Sequence, residues 1–332
     1  MIIVTGGAGF IGSAVVWALN RRGTTDILVV DTVDHDEKEH NLAPLRYSGI
    51  VSGTEFREKL RHDDYNQMGI EAVFHQAAIT STTETNWELF ADVNIAFSQE
   101  VIRWCVDRGV RCVYVSSAAV YGDGSEGYSD NHDLFDELQP LNFYGKSKLM
   151  ADVWARDGKC LDRVAGLRYF NVFGPNEWHK GDMGSVVMKK FEHLQKHGVV
   201  ELFKSYNPDY KDGESTRDFI YVKDAVDATL FFLDNPDVNG IFNVGTGKAR
   251  MWIDLARAMF MATGKKPNIR YVEMPENLRD QYQYFTEADI TKLKNVGYTR
   301  ETIALEDAVD DYIQNHLAPH LHLGTTVGKK SL

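Results

Sequence analysis

Residues 5–12, TGGAGFIG, constrain this chain more than any other stretch. They follow a short β-branched run, Ile2–Thr5, and open a segment of helical spacing from Phe10 to Arg22. A strand that ends and a helix that begins within so few residues needs backbone free of Cβ atoms. Gly6, Gly9 and Gly12 supply it at intervals of three, and Gly7, Gly9 and Gly12 also satisfy G-x-G-x-x-G. Such a turn carries a ligand pyrophosphate on a helix N-terminus. The remaining conditions are met downstream. A second apolar run, Ile27–Val30, ends in Asp31, 19 residues after Gly12, where a carboxylate meets an adenosine ribose. The competing reading is a tight turn with no ligand. Asp31 favours NAD, because it repels a 2′-phosphate, and Lys38 supplies a positive charge that favours NADP. The residues alone leave both dinucleotides open.

Strand and helix patterns then alternate. Ala72–Ala78 reads as a strand, Asn86 to Arg108 as a long helix with Leu89, Val93, Phe97, Val101, Trp104 and Cys105 on one face. Val113–Ser116 is a strand, Phe143 to Arg156 a helix and Val164–Arg168 a strand. This order predicts an α/β fold with a Rossmann-type, doubly wound parallel sheet over residues 1–170. Beyond Tyr169 the elements shorten: ELF at 201–203, FIYV at 219–222, GIFNVG at 240–245 and IRYVEMP at 269–275. They suggest a smaller C-terminal α/β substrate lobe over 171–316, interleaved with the first. YNPDYKDGEST, 206–216, reads as a polar loop able to act as a flexible lid, and 317–332 as a loose tail.

Composition limits the partners. The 332 residues carry a formal net charge of −12, which argues against a nucleic-acid or anionic membrane surface but not against a small anionic ligand. No apolar run is long enough to span a bilayer, and no leader is expected before the first strand. Cys105, Cys112 and Cys160 match no zinc or C-x-x-C spacing and read as reduced thiols of a cytoplasmic protein, so no metal is expected.

The chemistry is carried by FYGKSK, 143–148. Tyr144 and Lys148 lie one helical turn apart and share a face. A tyrosine hydroxyl ordinarily titrates near ~10, and a neighbouring cation lowers it. VSSAAVYG, 115–122, places hydroxyls at a strand end, where ligands of a doubly wound sheet gather. Ser117, Tyr144 and Lys148 can therefore converge on one substrate hydroxyl, Tyr144 removing its proton as the cofactor takes its hydride. The alternative is a solvated helix face.

TGGAGFIG, Ser117, Tyr144-x-x-x-Lys148 and RDFIYVKD (217–224) resemble the extended short-chain dehydrogenase/reductase family over about residues 1–316. Members act largely on nucleotide sugars. The resemblance implies that Ser117, rather than Ser116, is the catalytic serine. It also implies that Arg217 holds a sugar-nucleotide diphosphate; the alternative is an ion pair with Asp218. The family's 4,6-dehydratases carry an acid pair where this chain has Ala118 and Ala119, which leaves epimerisation or oxidation.

More narrowly, TDILVVD, STTE (81–84), LNFYGKSK, GLRYFNVFGPNEWHKG (166–181), GIFNVGTG and YQYFTEADI (282–290) are similar to the ADP-glyceromanno-heptose 6-epimerases. This implies Lys180 as a second base, its alternatives being a phosphate contact or a solvated charge. It implies Asn171, Lys189, Phe203, Ser205 and Tyr282 as substrate contacts. Phe10, Ile11, Thr32, Gln76, Ala77, Ala78 and Val172 become cofactor contacts, and Lys38 selects NADP, with NAD as the alternative. The implied substrate is ADP-heptose or a related nucleotide sugar of lipopolysaccharide core synthesis, and the implied assembly a homo-oligomer, possibly a pentamer. Several positions depart from that group: Thr32 for Asn, Gly53 for a basic residue, Asp182 for a small polar one, Lys189 for His, and a longer 206–216 loop. Another nucleotide-sugar 4-epimerase or reductase, or a non-catalytic dinucleotide sensor, are the competing readings.

Overall fold

The computed structural model describes all residues except 34–35, 280–281 and 326–332. Seven parallel strands form the central sheet: β1 (Ile2–Thr5), β2 (Ile27–Val30), β3 (Gly49–Val51), β4 (Ala72–His75), β5 (Arg111–Ser117), β6 (Val164–Tyr169) and β11 (Gly240–Val244). Their spatial order is β11-β6-β5-β4-β1-β2-β3. The order reverses between β1 and β4, so the strand carboxyl ends open there into a crevice. Alternation along each strand feeds two apolar layers. Ile2 and Val4 of β1 pack with Ala14, Val15 and Leu19 of α1 (Phe10–Arg21) and with Val226 and Phe232 of a helix from the second half of the chain. Ile3 packs on the other face with Phe97, Val101 and Trp104, and with Ala155.

The GIFNVG run joins this sheet. Its strand β11 pairs in parallel with β6, Phe242 opposite Leu167. β3 and the helix after it, Gly53–Arg61, complete the sheet edge beyond the elements read from sequence. Three further two-residue to four-residue pairings involve β7 (Asn171–Phe173) with β10 (Phe219–Tyr221), β8 (Val200–Phe203) with β13 (Ile269–Val272), and β9 (Thr216–Arg217) with β12 (Arg250–Met251).

Three expectations need correction. The long helix over residues 87–108 is continuous, but Ala91–Ala96 is wound as a π segment between Trp87–Phe90 and Phe97–Arg108. The extra residue per turn shifts the inward face. Phe90 and Asn94 are buried, while Leu89 and Val93 are only half-buried. The inward Asn94 bonds Ile79 N at 2.8 Å, Ile79 O at 2.9 Å and Ser147 Oγ at 2.9 Å. It thereby ties this helix to the one bearing Tyr144. Residues 317–325, expected to be loose, are packed: His322 and Leu323 are buried, and Leu323 N donates to Asn176 Oδ1 at 2.9 Å. The remainder of that tail, 326–332, lies outside the described residues. The 206–216 loop is fastened rather than free. Gly213 O and Ser215 O accept from Ile253 N and Trp252 N, Thr216 N donates to Tyr284 O, and the Tyr210 and Tyr284 rings sit 5.3 Å apart.

His75, at the end of β4, is fully buried with its ring nitrogens 2.8 Å from Thr5 Oγ1 and 3.0 Å from Ser98 Oγ. Burial, reinforced by the Lys148 charge, lowers its pKa to about 3. The neutral ring therefore stabilises the fold fully above the unfolded value near ~6.5, and this contribution is lost as pH falls toward the folded value. Urea denaturation should show wild type losing ~3 kcal/mol relative to His75→Gln between pH 6.5 and pH 4. A constant difference across that window would show that His75 does not titrate on unfolding.

Candidate active site

Tyr144 and Lys148 lie in the first turns of α5 (Phe143–Asp157), which Asn142 caps by accepting from Gly145 N at 2.9 Å. Gly145 has a specific task. A Cβ there would meet Ala119 O at 2.4 Å, so only glycine lets α5 press against the turn that follows β5. The same alternation that builds the sheet separates the two serines of β5. Ser116 Oγ donates inward to Asp152 Oδ2 at 2.9 Å. Ser117 lies at the strand's end, accepts from Ala119 N at 3.1 Å and stands beside the Tyr144 hydroxyl, whose pKa it lowers. Of the two serines, it is Ser117 and not Ser116 that the fold sets beside Tyr144.

The expected cation effect on Tyr144 does not appear. Burial pushes its hydroxyl up, and Ser117 is the group that pulls it down. Lys148 is buried, donates to Val115 O at 3.1 Å, and is itself lowered by burial to about 8, with the Asp152 charge opposing. Burial therefore acts on both groups: it penalises the tyrosinate and the ammonium alike.

Ser117 and Tyr144 border a cleft of about 770 Å³, while Lys148 lies buried behind them and is not part of its lining. Its lining includes Gly6, Gly9, Phe10, Ile11, Gly12, Asp31, Thr32, Lys38, Gln76, Ala77, Ala78, Ser117, Tyr144, Asn171, Val172 and Lys180. Gly6 and Gly12 are glycines for close packing: a Cβ would lie 2.7 Å from Ala77 N or 2.0 Å from Gly6 O. Gly9 faces only Gly6 O, at 3.1 Å, and leaves the approach to the helix N-terminus open. Asp31 accepts from Ala8 N at 2.9 Å, from Thr32 N at 2.8 Å and from Lys38 Nζ at 3.2 Å. The buried Gln76 amide lies beside the Tyr169 hydroxyl, yet neither of its polar atoms meets hydrogen-bond geometry with another residue. An orphaned amide on the floor of a cleft fits a dinucleotide ligand.

Lys180 also lines the cleft, from the helical segment Trp178–Met183, which kinks at Gly181 with φ 51°. Its Nζ donates to Thr80 Oγ1 at 2.7 Å. Burial lowers its pKa, and the Glu177 charge opposes that shift. Glu177, three residues earlier, is itself pushed up by burial, with Ser185 N, Ser185 Oγ and Gly174 N bonded to its carboxyl. Thr80 and Glu177 escaped the sequence reading. The spacing of three in EWHK was the signal for Glu177, and Thr80 had none.

The remaining substrate candidates lie outside this cleft. Arg217 is buried, donates to Thr216 O at 2.8 Å and stands 5.2 Å from the Tyr282 ring centre and 5.7 Å from that of Trp252. Among the described residues it has no carboxylate partner. The alternative pair with Asp218 does not form, because Asp218 accepts from Thr246 N, Thr246 Oγ1, Gly247 N and Ala288 N. A desolvated guanidinium framed by aromatic rings is suited to an anion. Tyr282 is 3.2 Å from Ser215 Oγ. Ser205 is held in its own turn by Asp212 and Asn207. Phe203 is exposed, and Lys189 donates to Asp182 O at 2.8 Å on the surface.

The model of the NAD dependent epimerase/dehydratase family matches residues 2–245. An ADP-L-glycero-D-manno-heptose-6-epimerase of Nitratidesulfovibrio vulgaris is 48% identical over 97% of this chain and 100% of its own length. Among solved structures, the Helicobacter pylori ADP-L-glycero-D-manno-heptose-6-epimerase aligns at TM-score 0.79 and 26% identity, covering 95% of each chain. The Thermus thermophilus UDP-glucose 4-epimerase in complex with NAD aligns at TM-score 0.75 and 26% identity, covering 94% of this chain and 97% of that one.

Gly9→Ala should keep the fold while weakening dinucleotide binding, since the added methyl meets only Gly6 O at the mouth of the loop. Fluorescence titration should show a loss of at least ten-fold, ~1.4 kcal/mol, with little change in melting temperature. Unchanged affinity would remove Gly9 from the binding loop.

Proposed function

Because the chain belongs to the NAD dependent epimerase/dehydratase family, we propose that it inverts C6 of ADP-glycero-manno-heptose by transient oxidation and reduction. One observation carries the reading. Two groups able to move a proton, Tyr144 and Lys180, come from different elements and line the one cleft that bears the dinucleotide loop. A strand-end acid pair for dehydration is missing, since Ala118 and Ala119 open the turn after β5. A non-catalytic sensor has no use for the intact Ser117, Tyr144 and Lys148 set.

When bound, the dinucleotide accepts a hydride from C6 and later returns it. Tyr144, oriented by Ser117, takes the hydroxyl proton for one epimer. The resulting ketone is flat, and inversion requires it to present its other face. Its oxygen then occupies a second position, outside the ~2.6–3.2 Å reach of Tyr144. Lys180 serves that position: Thr80 orients its amine, and burial makes the neutral, proton-accepting form more accessible. Asn171 borders the same cleft, and Arg217 with Tyr282 takes the diphosphate and nucleotide end. Lys189, Phe203 and Ser205 are proposed as outer contacts of the sugar nucleotide, which is ADP-heptose or a close relative.

NADP is the proposed dinucleotide. The Lys38 ammonium pairs with Asp31 and so offsets the carboxylate that would repel a 2′-phosphate. Gly53 and Thr54, which open the helix Gly53–Arg61, also line the cleft, as does Arg57, which pairs with Asp92 and Glu100. The cofactor is regenerated in each turnover and should be retained through purification. Mass spectrometry of the denatured protein should release NADP; NAD alone would overturn the assignment. No helix among the described residues is long and apolar enough to cross a membrane. A cytoplasmic homo-oligomer completes the proposal.

Single-turnover absorbance separates the two proton carriers. Tyr144→Phe should lose more than ten-fold in dinucleotide reduction with one epimer, over ~1.4 kcal/mol. Lys180→Met should lose it with the other epimer, and neither variant should epimerise. Loss toward the same epimer, or normal epimerisation by Lys180→Met, would reduce Lys180 to a binding residue.

A further inference from the structure

Glu37 and His40 lie three residues apart on α2 (Asp36–Leu42), on one face of that helix. His322 reaches them from the far end of the chain, its ring centre 5.7 Å from that of His40. One ligand-type atom from each of the three falls within 4.8 Å of the others. None of the three borders the cleft described above. Two independent features mark this cluster as more than neighbouring side chains. Glu37 Oε2 is buried and has no hydrogen-bond partner among the described residues. The His322 ring is also held in one tautomer. Asn41 Nδ2 donates to Ala8 O at 3.0 Å and Asn176 O at 3.1 Å, so Asn41 Oδ1 can only accept. It accepts from His322 Nδ1 at 2.9 Å. The proton of His322 therefore sits on Nδ1, and the Nε2 lone pair is left for a ligand. A histidine whose second nitrogen is anchored to an oxygen acceptor is the usual arrangement at a metal centre.

We propose that Glu37, His40 and His322 bind one divalent transition cation of the zinc class. Two imidazoles and one carboxylate suit zinc, with water as the fourth ligand. Bond lengths of ~2.0–2.2 Å place tetrahedral ligands ~3.3 Å apart, so the three must close by ~1.5 Å at most. The exposed ring of His40 and the side-chain torsions of Glu37 allow that movement. The cation would clip the C-terminal segment to α2. It thereby adds a second fastening beside the Asn41–His322 bond, and Asn41 also holds the glycine loop through Ala8 O. The site is separate from the proposed catalysis and stands or falls without it.

The test is zinc binding by untagged protein, previously stripped with a chelator, in equilibrium dialysis and thermal melts. His193 and His197, one turn apart on another helix with ring centres 4.6 Å apart, form a rival surface pair. All variants are therefore made in a His193→Ala, His197→Ala background. That background should still bind one equivalent of Zn²⁺ and melt at a higher temperature with it. Glu37→Gln, which keeps the shape of the side chain and removes its charge, and His40→Ala, which removes an exposed ring, should each weaken binding at least ~10-fold and abolish the thermal shift. Loss of the equivalent in the background protein, or affinity unchanged in both Glu37→Gln and His40→Ala, would overturn the site.

Discussion

The ion pair between Asp152 and Arg168 lies at the centre of this molecule, with both side chains fully shielded from water. Asp152 is on α5, two turns beyond Tyr144 and one beyond Lys148. It accepts from Arg168 Nε and Ser116 Oγ at 2.9 Å and from Tyr114 OH at 3.1 Å. Arg168 of β6 continues the chain of bonds to the Tyr121 hydroxyl at 3.0 Å, and Tyr121 donates to Asn243 of β11 at 2.7 Å. One carboxylate thus registers the helix bearing Tyr144 against three neighbouring strands. Removing one partner of such a pair leaves an uncompensated buried charge, a loss of ~3–5 kcal/mol. Burial already pushes the Asp152 carboxyl up, with Arg168 and the hydrogen bonds holding it back. The arrangement therefore contributes geometry more than stability. It sets where Tyr144 stands relative to Ser117.

Close backbone approach completes that geometry. Gly145 against Ala119 brings the helix onto the β5 turn, and Gly12 against Gly6 brings α1 onto the glycine loop. In both places a methyl group would collide with main-chain atoms, which cannot rotate away as a side chain can. The cofactor half and the catalytic half of the cleft are each built on a glycine of this kind. The π segment at Ala91–Ala96 does the corresponding work for the third wall, by turning Asn94 inward to join Ile79 and Ser147.

What could be read from the sequence was what depends on short spacing. The glycine loop, Asp31 after the second strand, and the Tyr144–Lys148 pair are local patterns, and their neighbours in the chain are also their neighbours in space. The parallel sheet followed from strands alternating with helices. Features set by distant partners were not legible. The role of β11 depends on pairing with β6, and GIFNVG carries no mark of it. Asp218 was a reasonable partner for Arg217 by adjacency, but three backbone N–H groups and a threonine hydroxyl from elsewhere occupy it. The inward shift of Asn94 needed a helical defect that an ideal 3.6-residue period does not contain. The Tyr144 hydroxyl was expected to be lowered because Lys148 is near, whereas burial, which adjacency in the chain does not reveal, pushes it up.

The two proposed proton carriers, Tyr144 and Lys180, are not independent parts mounted on a scaffold. Asn176 precedes the Lys180 segment in the left-handed conformation, φ 76°, and is fully buried. Its amide nitrogen donates to Ser13 Oγ of α1 at 3.0 Å, and its carbonyl accepts from Asn41, which also holds Ala8 O in the glycine loop. Its side-chain oxygen accepts from Leu323 N, beside the His322 that bonds Asn41. The turn bearing Lys180 is therefore bonded to the helix and loop that receive the dinucleotide. A ketone that turns over between two bases needs both held at fixed positions relative to one hydride carrier. The asparagine pair meets that requirement by making the glycine loop, the Lys180 turn and the C-terminal segment a single hydrogen-bonded unit. The packing of residues 317–325 follows from it: without them, Asn41 and Asn176 would each keep a buried oxygen with no donor.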